Sequence, residues 1–161
     1  MTDVRTGLGL DVHAFASTDR PLVLGGVEIP GEPGLSGHSD ADVVAHALAD
    51  ALLGAIAGGD LGSRFGTDDP DLEGVSSLEL LGEVVRDVEA AGYAVVNVDL
   101  TVVAQHPRLA HHREAMRAQL ADTLGLDVSA VSVKITSTDA LGSIGRGEGI
   151  ACWATSTVAP R

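Results

Sequence analysis

The segment 41–57 most constrains the fold, because its apolar residues recur at the period of an α-helix. The residues that share one face are Val43, Ala47, Leu48, Ala51, Leu52 and Ile56, and Gly58-Gly59 ends the run. This spacing predicts a helix from about Ala41 to Ala57 with one face in a core. Aromatic residues make up only 2% of the chain, so Val, Leu, Ile and Ala must supply the rest of that core.

Runs of β-type residues alternate with further helical segments around this helix. The segments that read as strands are 4–15, which is broken by glycines, two short runs within 22–29, and 94–105, 131–138 and 150–158. Gly25-Gly26 between the two short runs predicts a hairpin. A second helix is predicted to open at Ser76, with Glu79 completing a capping box, and to end before Gly92.

The last third of the chain contains one more predicted helix, from Pro107 to about Leu124, with Gly125 as its stop. Residues 60–75 and 142–149 are rich in turn residues and are predicted to be loops. The interleaving of helices and strands favours an α/β fold, an α+β sandwich of ferredoxin-like character. We therefore expect one domain over residues 1–161, with a mixed sheet of about four main strands, a small N-terminal hairpin and helices on one face.

Charge and cysteine content exclude several classes of protein. The formal net charge of −13 disfavours binding to nucleic acid or to anionic membranes, because there is no excess of Lys and Arg. Cys152 is the only cysteine, which excludes an internal disulfide and a zinc site made of cysteines. The N-terminus has no targeting pattern, and the most apolar stretch, 43–59, is too short to span a bilayer. We expect a soluble, cytoplasmic protein.

Two short patterns indicate a metal site. Asp11 and His13 lie two residues apart in a predicted strand, so their side chains share one face. In the first helix, His46 has Asp42 and Asp50 one turn away on either side, and one of these carboxylates is expected to accept the second imidazole N–H. Two imidazoles and one carboxylate leave a fourth tetrahedral position open, as in catalytic zinc sites. The alternative interpretations are that Asp11 and His13 are polar residues on an exposed strand surface, and that the charged side chains around His46 form a solvated stripe of the helix.

Two C-terminal segments have the composition of a phosphate site. In 142-GSIGRGEG-149, alternating glycines let backbone N–H groups approach an anion, and Arg146 is a bidentate partner for phosphate. In 136-TSTD-139, hydroxyls and a carboxylate at a strand end suit phosphate oxygens and Mg²⁺ or Mn²⁺. The alternative interpretations are a flexible hairpin for 142–149 and ordinary strand-end residues for 136–139. An acidic protein that handles a diphosphate needs metal ions to reverse its field locally.

Five motifs in order carry a resemblance to a known family. They are D-V-H at 11–13, H-S-D-A-D-V-V-A-H-A-L-A-D-A-L-L-G-A at 38–55, G-D-L-G at 59–62, A-Q-H-P at 104–107 and G-R-G-E-G-I-A at 145–151. The chain resembles the 2-C-methyl-D-erythritol 2,4-cyclodiphosphate synthase family over nearly its full length. The resemblance implies an enzyme of the non-mevalonate isoprenoid pathway, a homotrimer with active sites between subunits. Its cytidine diphosphate substrate would be cyclised by attack of a 2-phosphate oxygen on the β-phosphorus, with loss of CMP.

The resemblance also implies roles for particular residues. It implies Zn²⁺ on Asp11, His13 and His46, a second divalent ion, Mg²⁺ or Mn²⁺, on Asp139, and His38 and Ser137 as transition-state stabilisers. Substrate contacts are implied for Asp11, Val12, His13, His38, Ser39, Asp60, Leu61, Gly62, Phe65, Gly66, Thr67, Asp68 and Asp69. From the neighbouring subunit, the implied contacts are Ala104, Gln105, His106, Pro107, Arg108, Leu109, Ala110, Thr136, Ser137, Thr138 and Asp139. Ser143 is also an implied substrate contact, and Arg146 is implied to bind phosphate in this site or near the trimer axis.

Three residues depart from the family pattern. Asp139 stands where Glu is common and is one methylene shorter, and Ser137 stands where Thr is usual. Ser143 stands where Phe is common, so binding of an isoprenoid diphosphate on the trimer axis is not expected to carry over. The competing functions are a metal-dependent nucleotide diphosphate hydrolase, with water as nucleophile, and a trimeric module that only binds isoprenoid diphosphates.

Overall fold

A computed structural model describes residues 3–66 and 74–161. The strands are β1 (Arg5–Ala14), β2 (Pro21–Leu24), β3 (Val27–Pro33), β4 (Tyr93–Val103), β5 (Val131–Thr136) and β6 (Gly149–Pro160). The α-helices are α1 (Val43–Ala55), α2 (Leu61–Phe65), α3 (Ser77–Ala90), α4 (Arg113–Leu124) and α5 (Gly142–Gly145). Two 3₁₀ turns, Ala110–His112 and Val128–Ala130, precede α4 and β5.

The four long strands form one mixed sheet in the order β1-β6-β4-β5. β6 is antiparallel to both of its neighbours, while β4 and β5 are parallel. Helices pack on one face, and β2 and β3 form a separate hairpin, so the predicted α/β sandwich is confirmed. The C-terminal ends of β1, β4 and β5 therefore lie along the same edge of the sheet.

Glycines in β1 do not break the strand; they let α1 lie directly on it. A Cβ on Gly7 would stand 1.8 Å from the Ala51 carbonyl oxygen, and one on Gly9 would stand 1.9 Å from the Ala47 carbonyl oxygen. Side chains at both positions would push the helix off the sheet. Because Asp11 and His13 have the same parity along β1 as these glycines, they point toward the side that α1 covers.

The carboxylate of Asp42 joins α1 to the hairpin. Its oxygens accept hydrogen bonds from the Gly25 and Gly26 N–H groups at 2.8 and 2.7 Å. They also accept from Val44 and Ala45 in the first turn of α1, at 3.0 and 3.1 Å. Both turn glycines have left-handed φ, 56° and 75°, as the predicted hairpin requires.

Several predicted boundaries were wrong. The Pro107 segment is irregular, with a cis His106–Pro107 bond, and the helix begins only at Arg113 because a 3₁₀ turn precedes it. The segment 60–75 contains α2, since Asp60 forms a capping box with Ser63. The glycine-rich segment likewise contains the one-turn helix α5.

The predicted capping box of α3 is also wrong. Ser76 is the N-cap residue, but its side chain makes no capping hydrogen bond. The first N–H of the helix, that of Ser77, is instead bound by Asp40 at 3.1 Å. Among the helices of residues 3–66 and 74–161, none combines the length and apolar character needed to cross a membrane.

Candidate active site

Asp11, His13 and His46 meet at the edge of the sheet, where the end of β1 passes α1. Asp11 Oδ2 lies 2.8 Å from His13 Nε2 and 3.1 Å from His46 Nδ1. The two imidazole nitrogens are 3.4 Å apart. All three ligand atoms lie within 4.8 Å of one another. Three side chains from two elements thus converge, as the family resemblance implied and as spacing alone could not show.

The protonation of His13 suits metal binding. Its Nδ1 lies 2.5 Å from the Ser36 carbonyl oxygen, which can only accept, so Nδ1 carries the proton. Nε2, 2.8 Å from Asp11 Oδ2, donates to that carboxylate when the ring is an imidazolium, and after losing this proton it offers a lone pair that a metal ion could take. A tetrahedral zinc ion with bonds of about 2.05 Å requires ligand atoms about 3.3 Å apart, close to the His13–His46 separation. The three side chains could therefore hold a metal ion together.

The charges of the triad are coupled. Burial on its own would raise the pKa of Asp11, but hydrogen bonds from His13 and His46 lower that pKa well below its usual range. Burial disfavours the imidazolium of His13, yet its bonds to Asp11 and Ser36 outweigh burial and raise the pKa of His13 above 6.5. The carboxylate thus stays ionised, and a proton competes with a metal ion for His13.

A cavity of about 430 Å³ opens beside the triad. Its lining consists of Asp11, His13, Gly37, His38, Ser39, His46, Asp50, Leu61, Gly62, Phe65, Gly66 and Leu80. Nine of the residues predicted for the site are among these. Asp60 caps α2 next to the cavity, and Val12 turns its side chain to the other face of the sheet, where it is exposed. Thr67, Asp68 and Asp69 lie outside the described residues.

A loop between β3 and α1 carries His38 and Ser39. The Arg20 guanidinium holds this loop, since it donates to the Gly37 carbonyl at 2.8 Å and to the Ser39 carbonyl at 2.6 Å. His38 is exposed at the cavity, whereas Ser39 is buried. Ser39 has a left-handed φ of 45°, a strained conformation for a residue with a side chain.

The residues expected to serve a neighbouring subunit form a second cluster. The Ala104 N–H donates to the Thr136 carbonyl at 3.0 Å, and the Gln105 side chain accepts from the Ala140 N–H at 3.0 Å. These contacts bring 104–110 and 136–139 together at the ends of β4 and β5. None of them lines the cavity of the metal triad. β5 is three strand spacings from β1, or about 14 Å, along the same edge.

Within the second cluster, several polar side chains are exposed. Ser137 Oγ lies 3.3 Å from Asp139 Oδ1, and both residues are exposed. Ser143 lies in α5 and is exposed. Arg146 forms a 2.5 Å ion pair with Glu148. Asp139 has a left-handed φ of 51°, so strain marks this loop as it marks the loop of Ser39.

The prediction that Asp42 or Asp50 accepts the second imidazole N–H of His46 was wrong. Asp42 is the cap of α1 and the anchor of the hairpin, and Asp50 accepts from the Leu61 N–H at 2.8 Å. His46 Nε2 instead lies 2.9 Å from Ser77 Oγ and 3.2 Å from Ser39 Oγ. Ser77, from the distant helix α3, was missed because no local spacing links residue 77 to residue 46. Leu80, one turn further on, was missed for the same reason.

The chain is an α/β sandwich in which two imidazoles and a carboxylate that could hold a metal ion lie beside an open cavity. The model of the YgbB family matches residues 4–159. The chain is 52% identical over 149 residues to 2-C-methyl-D-erythritol 2,4-cyclodiphosphate synthase of Cronobacter sakazakii, covering 92% of this chain and 93% of that protein. It is 48% identical over 155 residues to the synthase of Alkaliphilus oremlandii, covering 96% and 98%. The chain belongs to the YgbB family.

Solved structures agree with this assignment. The chain resembles the bifunctional IspDF of Campylobacter jejuni with a TM-score of 0.96 and 40% identity, covering 100% of this chain but 43% of that one. It resembles IspF of Plasmodium falciparum in complex with CDP with a TM-score of 0.85 and 31% identity, covering 98% and 97%.

Proposed function

We propose that this chain converts 4-diphosphocytidyl-2-C-methyl-D-erythritol 2-phosphate to 2-C-methyl-D-erythritol 2,4-cyclodiphosphate and CMP, in the non-mevalonate isoprenoid pathway. The observation that carries the proposal is the metal triad at an open cavity in a member of the YgbB family. The relatives named as cyclodiphosphate synthases support it over almost their full length. The reaction is that of a phosphorus–oxygen lyase, and we place it in the cytoplasm.

Asp11, His13 and His46 would hold zinc in this proposal, and the ion would supply a Lewis acid for the diphosphate. The protein needs to supply little covalent chemistry, because phosphoryl transfer depends on positioning and charge neutralisation. His38 faces the cavity from the loop that Arg20 holds, and it stabilises charge on the transferring phosphorus. Leu61, Gly62 and Phe65 enclose the erythritol portion.

The active chain is a homotrimer in this proposal. The sheet face that the helices leave uncovered exposes adjacent apolar side chains, including Leu10 at 49% and its β6 neighbour Trp153 at 43%. Covering this face with other copies of the chain would bury that area and set the second cluster of one subunit beside the triad of the next. Leu10→Asp should therefore give monomers and low activity in analytical ultracentrifugation and CMP assays, with zinc binding retained. A Leu10→Asp variant that remains a fully active trimer would contradict the proposed assembly.

The second cluster would then hold the nucleotide end of the substrate. Residues 104–110 surround the cytosine, Ser137 stabilises the transition state, and Asp139 binds Mg²⁺ or Mn²⁺ at the diphosphate. Arg146 binds phosphate after leaving its ion pair with Glu148, which is exposed and therefore weak. Asp139 and Ser137 are both exposed and adjacent, which supports a role at a subunit boundary.

CMP release from the cytidyl substrate tests the function. We expect CMP and a cyclic diphosphate in equal amounts, and loss of both with a chelator. Release of CMP with an uncyclised product would favour the hydrolase instead. His46→Ala should reduce the rate about a thousandfold or more, since it removes a metal ligand. His111→Ala is the matched control, because His111 is exposed and outside the cavity lining. Full CMP release by His46→Ala would overturn the mechanism.

A further inference from the structure

The unexplained feature of the metal centre is the far side of the His46 ring. Nδ1 faces the triad, so the ring proton must sit on Nε2 if Nδ1 is to bind a metal. Nε2 faces the hydroxyls of Ser77 and Ser39 at 2.9 and 3.2 Å. A hydroxyl can donate or accept, so these two groups alone do not determine which imidazole nitrogen carries the proton.

Asp40 resolves that ambiguity. Ser77 Oγ is in very close hydrogen-bond contact with Asp40 Oδ1. A carboxylate only accepts, so the Ser77 hydroxyl must donate to Asp40. The lone pairs of Ser77 Oγ are then turned toward His46, where one can accept a hydrogen bond from Nε2–H. The charge of Asp40 thus favours a proton on Nε2, whereas Ser39 Oγ, 3.1 Å from Ser77 Oγ, can donate or accept, and Asp11 in the metal-free chain favours a proton on Nδ1.

The groups of this chain are fixed in place. Asp40 Oδ2 accepts from the Ser77 N–H at 3.1 Å, and Asp40 Oδ1 accepts from the Asp42 N–H at 3.2 Å. The Asp40 N–H donates to the Val75 carbonyl at 3.1 Å. Ser77 is 1% exposed, which removes water as a competing partner. The chain links the first turn of α3 to a metal ligand on α1.

We propose that Asp40 and Ser77 are positioning residues that hold His46 in the tautomer needed to bind zinc. Metal-bound imidazoles commonly donate their other N–H to a carboxylate; here Ser77 stands between the two groups. His13 obtains the same effect from the Ser36 carbonyl. The proposal rests on the metal site of the proposed function, but it concerns the imidazole and not the phosphoryl transfer.

Asp40→Asn is the decisive variant. Asn has one acceptor oxygen for the three groups that donate to Asp40, so the Ser77 hydroxyl loses its fixed acceptor and its proton can turn toward Nε2. Zinc affinity, measured by competition with a chromophoric chelator, should fall about tenfold to a hundredfold. In the zinc-loaded protein, where a metal-bound Nδ1 carries no proton, the Nε2–H of His46 should exchange with water faster in Asp40→Asn than in the wild type, as followed in ¹H–¹⁵N spectra.

Two further variants separate positioning from support of the fold. Ser77→Ala keeps the N–H bond to Asp40 but removes the hydroxyl, and it should lower zinc affinity about tenfold. Ser76→Ala is the matched control, since the Ser76 side chain makes no capping bond, and its affinity should equal that of the wild type. Thermal unfolding is recorded for all three variants.

The outcomes are distinguishable. Wild-type zinc affinity in Asp40→Asn and Ser77→Ala overturns the proposal, including where their Tm is lowered, because the two residues would then only support the fold. An unchanged exchange rate of the His46 Nε2–H in zinc-loaded Asp40→Asn also overturns it. A wild-type protein that binds no zinc would instead refute the metal site of the proposed function.

Discussion

Replacing Asp42 by Ala tests whether this carboxylate serves the fold or the metal centre. Asp42 precedes His46 by one helical turn, which made it a candidate partner of the imidazole in the sequence. In the structure it is fully buried, and its two oxygens accept four backbone N–H groups, two in the hairpin turn and two in the first turn of α1. Asp42→Ala leaves all four donors without that partner.

The size of the effect follows from these bonds. Loss of a helix N-cap costs about 1 kcal/mol. Each buried N–H left unpaired in the hairpin turn costs about 1–3 kcal/mol. Because removing the carboxylate also removes its desolvation cost, the low end applies, and we expect a loss of about 3 kcal/mol in the free energy of unfolding. For a chain of this size that corresponds to a Tm lower by about 10 °C.

Calorimetry of the metal-free protein measures this change, and Asp127→Ala is the matched control. Asp127 caps the 3₁₀ turn before β5 with one bond at 2.9 Å and is exposed, so its Tm should stay within about 2 °C of the wild type. Zinc affinity, measured well below the transition, should change little in Asp42→Ala. An unchanged Tm together with a large loss of zinc affinity would refute the structural role and restore the carboxylate to the metal centre.

Three other expectations follow from single contacts. Gly9→Ala forces a Cβ against the backbone of α1 and should lower the free energy of unfolding by about 2 kcal/mol or more in denaturant titrations, whereas Gly82→Ala, which meets open space in α3, should be neutral or stabilising. Arg20→Ala frees two carbonyls of the loop at the cavity and should lower kcat about tenfold or more with zinc affinity unchanged; an unchanged kcat would refute its positioning role. Because hydrogen bonds to Asp11 and Ser36 raise the pKa of His13, a proton competes with zinc as the pH falls through that raised pKa, so zinc affinity in chelator competition should weaken with falling pH, and an affinity that does not depend on pH would contradict this.

Local spacing predicted the features that local chemistry decides. The two-residue spacing of Asp11 and His13 in a strand and the apolar repeat of α1 each follow from one element's geometry. The hairpin at Gly25-Gly26 follows from the left-handed φ that its turn requires. These predictions needed no knowledge of which elements pack together.

Contacts between distant elements lay beyond the sequence pattern. Glycines in β1 looked like breaks in a strand, but they mark where α1 approaches the sheet. Ser76 and Glu79 match the sequence pattern of a capping box. Asp40, from a loop distant in sequence, accepts the first N–H of α3 instead. Pro107 is suited both to the first turn of a helix and to an irregular loop. Long-range contacts of this segment, such as the bond from the Ala104 N–H to the Thr136 carbonyl of β5, distinguish the two conformations.

Contacts between elements distant in sequence also surround His46, whose serine and aspartate neighbours come from two other segments, the loop of Ser39 and Asp40 and helix α3. A catalytic metal site needs ligands held by elements that do not move relative to one another, and one helix cannot provide that alone. β1 supplies two of the candidate ligands and α1 the third, while Ser77 of α3 and the loop of Asp40 contact the far side of the third imidazole through hydrogen bonds. A substitution in α3 can therefore weaken a metal site to which α3 contributes no ligand. Zinc affinity should thus respond to Ser77, whereas its neighbour Ser76, whose side chain makes no capping bond, should have no influence.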